Sequence, residues 1–307
     1  MAKIEATFVF NPIMDQFIRP ALESLYKYTP IEFRVVVVDQ TKNGIGEQIK
    51  DLADLIIRPR RNLGFAKSMN EGIIHGLHWG SEYVVAANDD ILCISKKWWP
   101  GILEQFERYQ EMMAVCPASV MEPGWGYGLN DDGWVPGNKC PDWGVDVGAN
   151  IWPKKPDGTA MTKEEAMTEE GYDYLLEHRK GHIEGFAGWF VVGKREMWEK
   201  VGLYDERFVP GGAEDYELCH RIYLAGGRAS ATLGSFIWHE WTKSRHAMAN
   251  HPEEFLQTGR HSFQDCNALF EHSLDGANSP IFPPRENELF GNKRKRRNSG
   301  IFVDDIK

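Results

Sequence analysis

Two acidic groups in the sequence have the residue types and positions that catalysis requires. Asn88-Asp89-Asp90 directly follows an apolar run, and Glu214-Asp215 follows a glycine-rich turn. Crowded carboxylates repel one another, so the first group is favourable when a divalent cation lies between it and the phosphates of a ligand. Oxygen ligands favour Mg²⁺ or Mn²⁺ over zinc. The alternative for this triplet is a capping turn, because Asn and Asp are common there.

The second acidic group is a candidate general base. A carboxylate beside a glycine-rich loop can take a proton from an acceptor hydroxyl, although acids in the first turn of a helix are also ordinary partners of the helix dipole. His239 follows the last predicted strand, where it is a candidate third metal ligand; a single histidine is more often structural.

Further polar residues predict a site for a nucleotide. Asp39 ends the apolar run Phe33–Val38, and a carboxylate there can accept hydrogen bonds from a ribose or a base, or can simply be a turn residue. Arg61-Asn62-Leu63-Gly64 precedes a predicted helix. Glycine permits close approach of a ligand, and the beginning of a helix attracts anions.

The elements around these residues alternate between strands and helices. Predicted strands cover 6–10, 33–38, 55–57 and 83–87; one predicted helix covers 14–28, and residues 62–66 open another that runs to about His78. Unbroken apolar strands in this alternation are typical of a doubly wound parallel sheet covered on both faces. Ligands of such sheets bind at the carboxyl ends of the strands. Asn11, Asp39 and Asn88-Asp89-Asp90 all lie at such ends and are expected to converge on one edge.

The second half of the chain is less regular. Residues 121–181 are rich in Gly, Trp, Pro and Asp, which favours an insertion that carries acceptor specificity. Helix and strand patterns return from His182 to about residue 247, and 248–307 is expected to be a C-terminal extension. The basic run Lys293–Arg297 in that extension is interpreted as a solvated tail, with contact to an anionic acceptor or a membrane surface as the alternative.

Composition narrows the class of protein. The net charge of −10 argues against a protein that wraps nucleic acid. The five cysteines include no CxxC pair, which argues against a disulfide framework and a structural zinc site and favours a reducing, cytoplasmic compartment. The amino-terminal segment lacks the pattern of a signal peptide, and no apolar run is long enough to span a bilayer.

Several segments together resemble the GT-A glycosyltransferases, specifically glycosyltransferase family 2. They are VVVVDQTKNG, RNLGFAKSMNEGI, AANDDIL, GWFVVGKREMWEKVGLYDERFVPGGAEDYELCHRIYLAGG and WHEWTKSR. The resemblance covers about residues 4–245, interrupted by the insertion. It implies a Rossmann-like, mostly parallel sheet flanked by helices, with a domain at 1–247 that binds a nucleotide sugar.

The resemblance also implies roles for single residues. Asp39 is similar to the residue that binds the base or ribose, and Asp215, with Glu214 beside it, is similar to the general base. Asp90 and His239 are similar to the metal ligands, with Asn88 in place of the first acid of the family's metal-binding motif. The implied donor-binding residues are Asn11, Asp39, Arg61, Asn62, Gly64, Lys67, Asn88 and Asp89. The implied acceptor-side residues are Gly185, Gly188 and Trp189.

These expectations describe an inverting transferase with Mn²⁺ or Mg²⁺ as cofactor. Its donor would be a sugar nucleotide of the UDP, dTDP or GDP type, and its acceptor a hydroxyl of a glycan or glycoconjugate. Transfer to modified nucleic acid, through the basic tail, is an alternative that the acidic net charge disfavours. A sugar nucleotidyltransferase would need a glycine-rich basic loop near the amino terminus, which FNPIMDQFIRP lacks. An inactive carbohydrate-binding homologue would not need Asp90, Asp215 and His239.

Overall fold

The elements follow the predicted alternation closely in the first half of the chain. The computed structural model describes residues 4–119, 127–130, 133–136, 157, 162–178, 182–186, 188–209, 211–212, 214–239 and 302–305. The strands are β1 (Ala6–Phe10), β2 (Phe33–Val38), β3 (Leu55–Arg58), β4 (Tyr83–Ala87), β5 (Ile91–Cys93), β6 (Met112–Ser119), β7 (Tyr127–Asn130), β8 (Gly133–Pro136), β9 (His182–Glu184), β10 (Phe190–Lys194), β11 (Arg228–His239) and β12 (Phe302–Asp305). The helices are α1 (Asp15–Tyr28), α2 (Gly46–Ile49), α3 (Phe65–His78), α4 (Trp98–Arg108), α5 (Lys163–Ala166), α6 (Glu169–His178), α7 (Arg195–Lys200) and α8 (Glu214–Leu224).

Within the described residues one large sheet forms the centre of the molecule. Its order is β12-β3-β2-β1-β4-β10-β6-β11-β5, and β9 pairs with β11. Strands β3, β2, β1 and β4 are parallel, as predicted from their unbroken apolar runs. The other half is mixed, because β10 runs antiparallel to both β4 and β6. The expectation of an α/β fold of the GT-A type is confirmed, with the parallel arrangement concentrated in one half.

The antiparallel direction of β10 positions the site. Phe190 pairs with Ala87, the last residue of β4. The residues that precede β10 therefore lie beside those that follow β4. Gly188 and Trp189 are brought in this way to Asn88, although about a hundred residues separate them in the sequence.

Aromatic side chains fill the core beneath this edge. The ring of Trp98 meets those of Phe8 and Phe190 edge to face, with centroids 6.2 and 5.5 Å apart. Trp98, Trp99, Trp198 and Trp238 are fully buried or nearly so. These four side chains belong to the core and bury large apolar areas on folding.

Two expectations concern parts of the chain that the structure describes little or not at all. The insertion at 121–181 is described only in short pieces, and the basic run at 293–297 lies outside the described residues. Within the predicted extension, β12 pairs with β3 and so adds a strand to the large sheet. In the described part of the chain, no helix has the length and apolar character needed to cross a bilayer.

Candidate active site at the carboxyl edge of the sheet

The acidic triplet after β4 lies buried at the edge of the sheet beside the end of β11. Asp89 and Asp90 are 5% and 4% exposed. Nε2 of His239 lies 3.2 Å from Oδ1 of Asp90 and 3.4 Å from Nδ2 of Asn88. The structure thus brings together Asn88, Asp90 and His239, which the sequence analysis had predicted to share a site.

The buried carboxylates keep polar atoms that the described residues do not satisfy. Oδ2 of Asp89 and Oδ1 of Asp90 have no hydrogen bond of good geometry. Burial, and to a lesser extent the neighbouring charge of Asp90, raises the pKa of Asp89 to about 8. A buried carboxylate without a partner is unfavourable, and a bound cation would relieve both the desolvation and the repulsion.

The residues present fit a divalent cation in chemistry, and only partly in arrangement. Carboxylate oxygens and an imidazole nitrogen are suitable donors for Mn²⁺, and the unsatisfied oxygens of Asp89 and Asp90 are available for such a bond. In the described part of the chain, however, no group of three or more His, Cys, Asp or Glu side chains is arranged as a metal site. Asp90 and His239 are therefore two candidate ligands, and a bound phosphate or water would have to supply others.

Trp189 holds His239 in place. The two rings are stacked, with centroids 4.7 Å apart and planes 12° from parallel. The carbonyl oxygen of Trp189 accepts a hydrogen bond of 2.8 Å from the backbone N–H of Asn88. Trp189 was predicted to lie on the acceptor side. In this structure it is 5% exposed and supports His239 from the interior of the protein.

Gly188, the preceding residue, contacts the second acidic group. Its backbone N–H donates a hydrogen bond of 2.7 Å to Oδ2 of Asp215. A Cβ at position 188 would lie 2.8 Å from the Cβ of Asp215, so only glycine permits this approach. Gly188 and Trp189 therefore connect the predicted base to the predicted metal ligands within two consecutive residues.

The two carboxylates at the beginning of α8 differ in their surroundings. Glu214 is 8% exposed, and its carboxylate accepts a hydrogen bond from the backbone N–H of Gly212. Asp215 is only partly buried. Gly211 and Gly212 have φ values of +150° and +117°, a region that favours glycine, so the turn before α8 depends on both. Asp215 is the better placed of the two for contact with a substrate.

Glu217, two residues after Asp215, has a structural role. Glu217 and Arg221 form a buried bidentate ion pair, with distances of 2.6 and 2.7 Å. The same guanidinium donates to the carbonyl oxygens of Val201 and Leu203, both at 2.8 Å. The pair of Glu217 and Arg221 thus fixes α8 to the segment that follows α7.

Polar contacts also join the ends of β1 and β2 to the beginning of α3. Ser68 accepts hydrogen bonds from Asn11 at 2.9 Å and from Gln40 at 3.2 Å, and donates to the carbonyl oxygen of Gly64. Asn62 accepts a hydrogen bond from the N–H of Gly64, whose φ is +79°. Asn11, Asn62 and Gly64 therefore share one neighbourhood, as predicted for a nucleotide site. Ser68 and Gln40 were not singled out in the sequence analysis.

Other predicted residues are engaged elsewhere. Lys67 pairs with Glu206 at 3.1 Å, and Arg61 is exposed. Gly185 donates to the carbonyl oxygen of Ala229, near the beginning of β11, whereas His239 ends that strand. The structure therefore places Gly185 apart from the acidic triplet.

Asp39 lies at the end of β2 as predicted, but its carboxylate is occupied. It accepts hydrogen bonds from Thr41, Ile45 and Arg58 and is 1% exposed. Arg58 and Tyr204 are further residues that sequence reasoning missed. Burial raises the pKa of Tyr204 well above its ordinary value, and negative charge on Glu214 and Asp215 adds to the shift.

Comparison with known proteins identifies the class of fold. The chain resembles the solved structure of GalNAc-T7 with UDP, GalNAc and Mn²⁺, with a TM-score of 0.51 and 16% identity over 89% of this chain and 54% of that chain. It spans about half of the GalNAc-T7 chain. The structure of TarS 1–349 from S. aureus matches with a TM-score of 0.47 and 15% identity, over 88% of this chain and 71% of that chain. The fold is that of the GT-A transferases.

A family model matches part of the sequence. Residues 8–139 match the family model described as Glycosyl transferase family 2. The comparison with curated proteins gave no match. The matched part of the chain is similar to glycosyltransferase family 2, a family of sugar-transferring enzymes.

Proposed function

We propose that the protein is an inverting glycosyltransferase that moves a sugar from a nucleoside-diphosphate sugar to an acceptor hydroxyl. One observation carries the proposal. Gly188 binds the carboxylate of Asp215 while Trp189 packs on His239, so a candidate base and a candidate cation site are built around the same two residues. Single displacement at an anomeric carbon needs this combination: a base for the attacking hydroxyl and positive charge for the departing diphosphate.

The chain's own groups have distinct tasks in this reaction. Asp215 accepts the proton of the acceptor hydroxyl as the hydroxyl oxygen forms its bond to the anomeric carbon. The bond from that carbon to the diphosphate oxygen breaks on the opposite face, and the oxygen leaves with the electron pair. Attack from the opposite face inverts the anomeric configuration. The hydrogen bonds from the backbone N–H groups of Gly188 and Tyr216 orient the Asp215 carboxylate for this proton transfer.

Asp90 and His239 would hold the cation, with Asn88 and Asp89 beside them. A bound Mn²⁺ or Mg²⁺ would supply positive charge that stabilises the diphosphate as it departs. The GalNAc-T7 structure contains UDP and Mn²⁺, which is consistent with this assignment. The proposed nucleotide-binding site is the network at the beginning of α3, formed by Asn11, Ser68 and Gln40. The proposed donor is a sugar nucleotide of the UDP, dTDP or GDP type.

Calorimetric titration tests the donor half of the proposal. UDP, dTDP, GDP and CDP are titrated into the full chain with and without Mn²⁺. We expect one nucleotide to bind tightly, and to do so only when Mn²⁺ is present. Asp90→Ala should abolish the part of the affinity that depends on Mn²⁺. Metal-independent binding in both proteins would remove Asp90 from the cation site, and absence of binding by every nucleotide would overturn the proposed donor.

Asp215→Asn tests the catalytic half. The variant should bind the donor nucleotide as the wild type does and should transfer sugar about 10²–10⁴ times more slowly, which is the usual contribution of a general base. Glu214→Gln is the matched comparison, because Glu214 is turned toward Gly212 and is expected to affect transfer less. A larger loss in Glu214→Gln than in Asp215→Asn would exchange the two roles.

A further inference from the structure

The carboxylate of Asp39 is saturated by groups of its own chain. Oδ1 accepts hydrogen bonds from the backbone N–H of Thr41 at 3.0 Å and from its hydroxyl at 2.6 Å. Oδ2 accepts from the N–H of Ile45 at 2.9 Å and from Nη1 of Arg58 at 2.6 Å. With two donors on each oxygen and 1% exposure, this carboxylate has little capacity left for a ligand.

Arg58 fixes the same loop from the neighbouring strand. It ends β3, which runs parallel to β2, and its Nη2 donates to the carbonyl oxygens of Thr41 and Lys42, both at 3.2 Å. The guanidinium thus binds the carboxylate of Asp39 and two backbone carbonyls of the loop that follows Asp39. We call residues 40–45 the β2 loop.

The loop is shaped to the guanidinium. Gly44 has φ +78°, and a Cβ at this position would lie 2.1 Å from Nη1 of Arg58. A side chain at position 44 would therefore displace the arginine from Asp39. The β2 loop also carries Gln40, which belongs to the network with Ser68 and whose Oε1 accepts a hydrogen bond of 2.7 Å from the N–H of Leu63.

We propose that Asp39 and Arg58 are a positioning pair that holds the β2 loop in the shape that binds the nucleotide, and that Asp39 does not itself contact the base. The inference rests on the proposed function for its ligand. A positioning role for Asp39 and direct recognition of the base by Asp39 predict different effects on nucleotide binding. A residue that reads the base changes the preference among nucleotides, whereas a residue that shapes the loop weakens all nucleotides together.

Calorimetry with UDP, CDP, GDP and dTDP in the presence of Mn²⁺ distinguishes a residue that contacts the base from one that positions the loop. Asp39→Asn and Arg58→Met should each weaken binding by roughly ten- to a hundredfold, as expected for loss of a buried charge-assisted hydrogen bond. The factor should be the same for every nucleotide that binds. The double variant should bind about as well as the weaker single variant, because the two residues act as one unit. Arg58→Lys should restore part of the affinity, since an ammonium can pair with Asp39 but cannot also bind both carbonyls.

Arg19 provides a matched control. It also binds a carboxylate, that of Asp51, and a backbone carbonyl, that of Gln48, and its side chain is 41% exposed, the same fraction as for Arg58. Arg19→Met should leave nucleotide binding unchanged. Melting temperatures of all variants separate loss of binding from loss of folding.

A changed order of preference among nucleotides in Asp39→Asn, with the order preserved in Arg58→Met, would overturn the inference. So would additive effects of the two substitutions. Hydrogen exchange of the β2 loop in the protein without ligand provides a test that does not need the donor: both substitutions should speed exchange of the Thr41 and Ile45 amides. If the wild-type protein binds no nucleotide, the proposed function fails, and unchanged exchange in both variants would then reject the positioning pair separately.

Discussion

Asn70 holds the backbone of Tyr204 with both ends of its amide group. Its Nδ2 donates to the carbonyl oxygen of Tyr204 at 2.9 Å, and its Oδ1 accepts from the N–H of the same residue at 3.0 Å. The two residues are 134 positions apart in the sequence. Helix α3 begins at the proposed nucleotide site. The contact with Tyr204 fixes this helix to the segment between α7 and α8, which precedes the proposed base.

Replacing Asn70 should destabilise the fold. Asn70→Ala leaves a buried N–H and a buried carbonyl oxygen of Tyr204 without partners, and each unsatisfied group costs about 1–3 kcal/mol. We expect the free energy of unfolding, measured with urea, to fall by about 2–6 kcal/mol, the sum for the two groups. His78→Ala, at the exposed end of the same helix, should change it by less than about 0.5 kcal/mol. Equal effects of the two substitutions would contradict the proposed importance of the Asn70 contacts.

The ion pair of Glu217 and Arg221 should be far more sensitive than a surface pair of the same spacing. Glu217→Ala leaves the Arg221 guanidinium buried without its carboxylate, which typically costs about 3–5 kcal/mol. Glu196 and Lys200 form an exposed pair, also four residues apart, and Glu196→Ala should have an effect of about 0.5 kcal/mol or less. Denaturant unfolding of both variants provides the comparison. A loss below about 1 kcal/mol for Glu217→Ala would show that Arg221 finds another partner or water.

Gly188→Ala should impair transfer while sparing the nucleotide site. The added methyl group would lie 2.8 Å from the Cβ of Asp215, so the carboxylate must shift. Displacement of a catalytic group by about 1 Å can lower kcat by roughly a hundredfold. The KM for the donor and the affinity for its nucleotide should change little. Wild-type kcat in a folded Gly188→Ala protein would show that the contact between Gly188 and Asp215 does not serve the reaction.

Asp89 should make the metal-free protein less stable as the pH rises. Its pKa of about 8 in the folded protein exceeds the value of about 3.9 expected in the unfolded chain. Between these two values the folded state holds a proton that the unfolded state has released, so stability decreases with increasing pH. The stabilising contribution is complete below about pH 4 and is lost as the pH rises through about 8.

Urea unfolding with EDTA from pH 5 to pH 8 measures this effect. Relative to Asp89→Asn, the wild type should lose up to about 1.4 kcal/mol per pH unit within that window. Mn²⁺ should reduce the slope, because a bound cation favours the deprotonated carboxylate. Parallel stability curves for the two metal-free proteins would mean that Asp89 is ionised at neutral pH despite its burial.

Sequence patterns predicted the parallel half of the sheet well for a physical reason. Strands β1 to β4 are buried on both faces, so their apolar runs are unbroken and end in polar residues; the predicted 83–87, for example, is the observed β4. Strand β5 has three residues and pairs with β11, far along the chain, so no local pattern marks it. Strand β12 joins β3 through backbone hydrogen bonds, which carry no side-chain signature.

The candidate site was predicted to a similar extent. Residues at the ends of strands, such as Asn88, Asp90 and His239, could be placed together because the carboxyl ends of parallel strands share an edge. What a side chain binds could not be predicted where its partner comes from another element. The contact of Asp39 with Arg58, which lies nineteen positions further along on the next strand, could not be foreseen from the local pattern.

The placement of β10 bears on how relatives of this protein diverge. The chain between β6 and β10 leaves and rejoins the sheet on neighbouring strands, with Val115 paired to Val192. For a loop whose ends are held together, doubling the length adds only about 0.6 kcal/mol of closure entropy. Insertions between β6 and β10 can therefore be accommodated while Gly188 and Trp189 stay in register with β4. Such changes leave the residues proposed to carry out the chemistry in place.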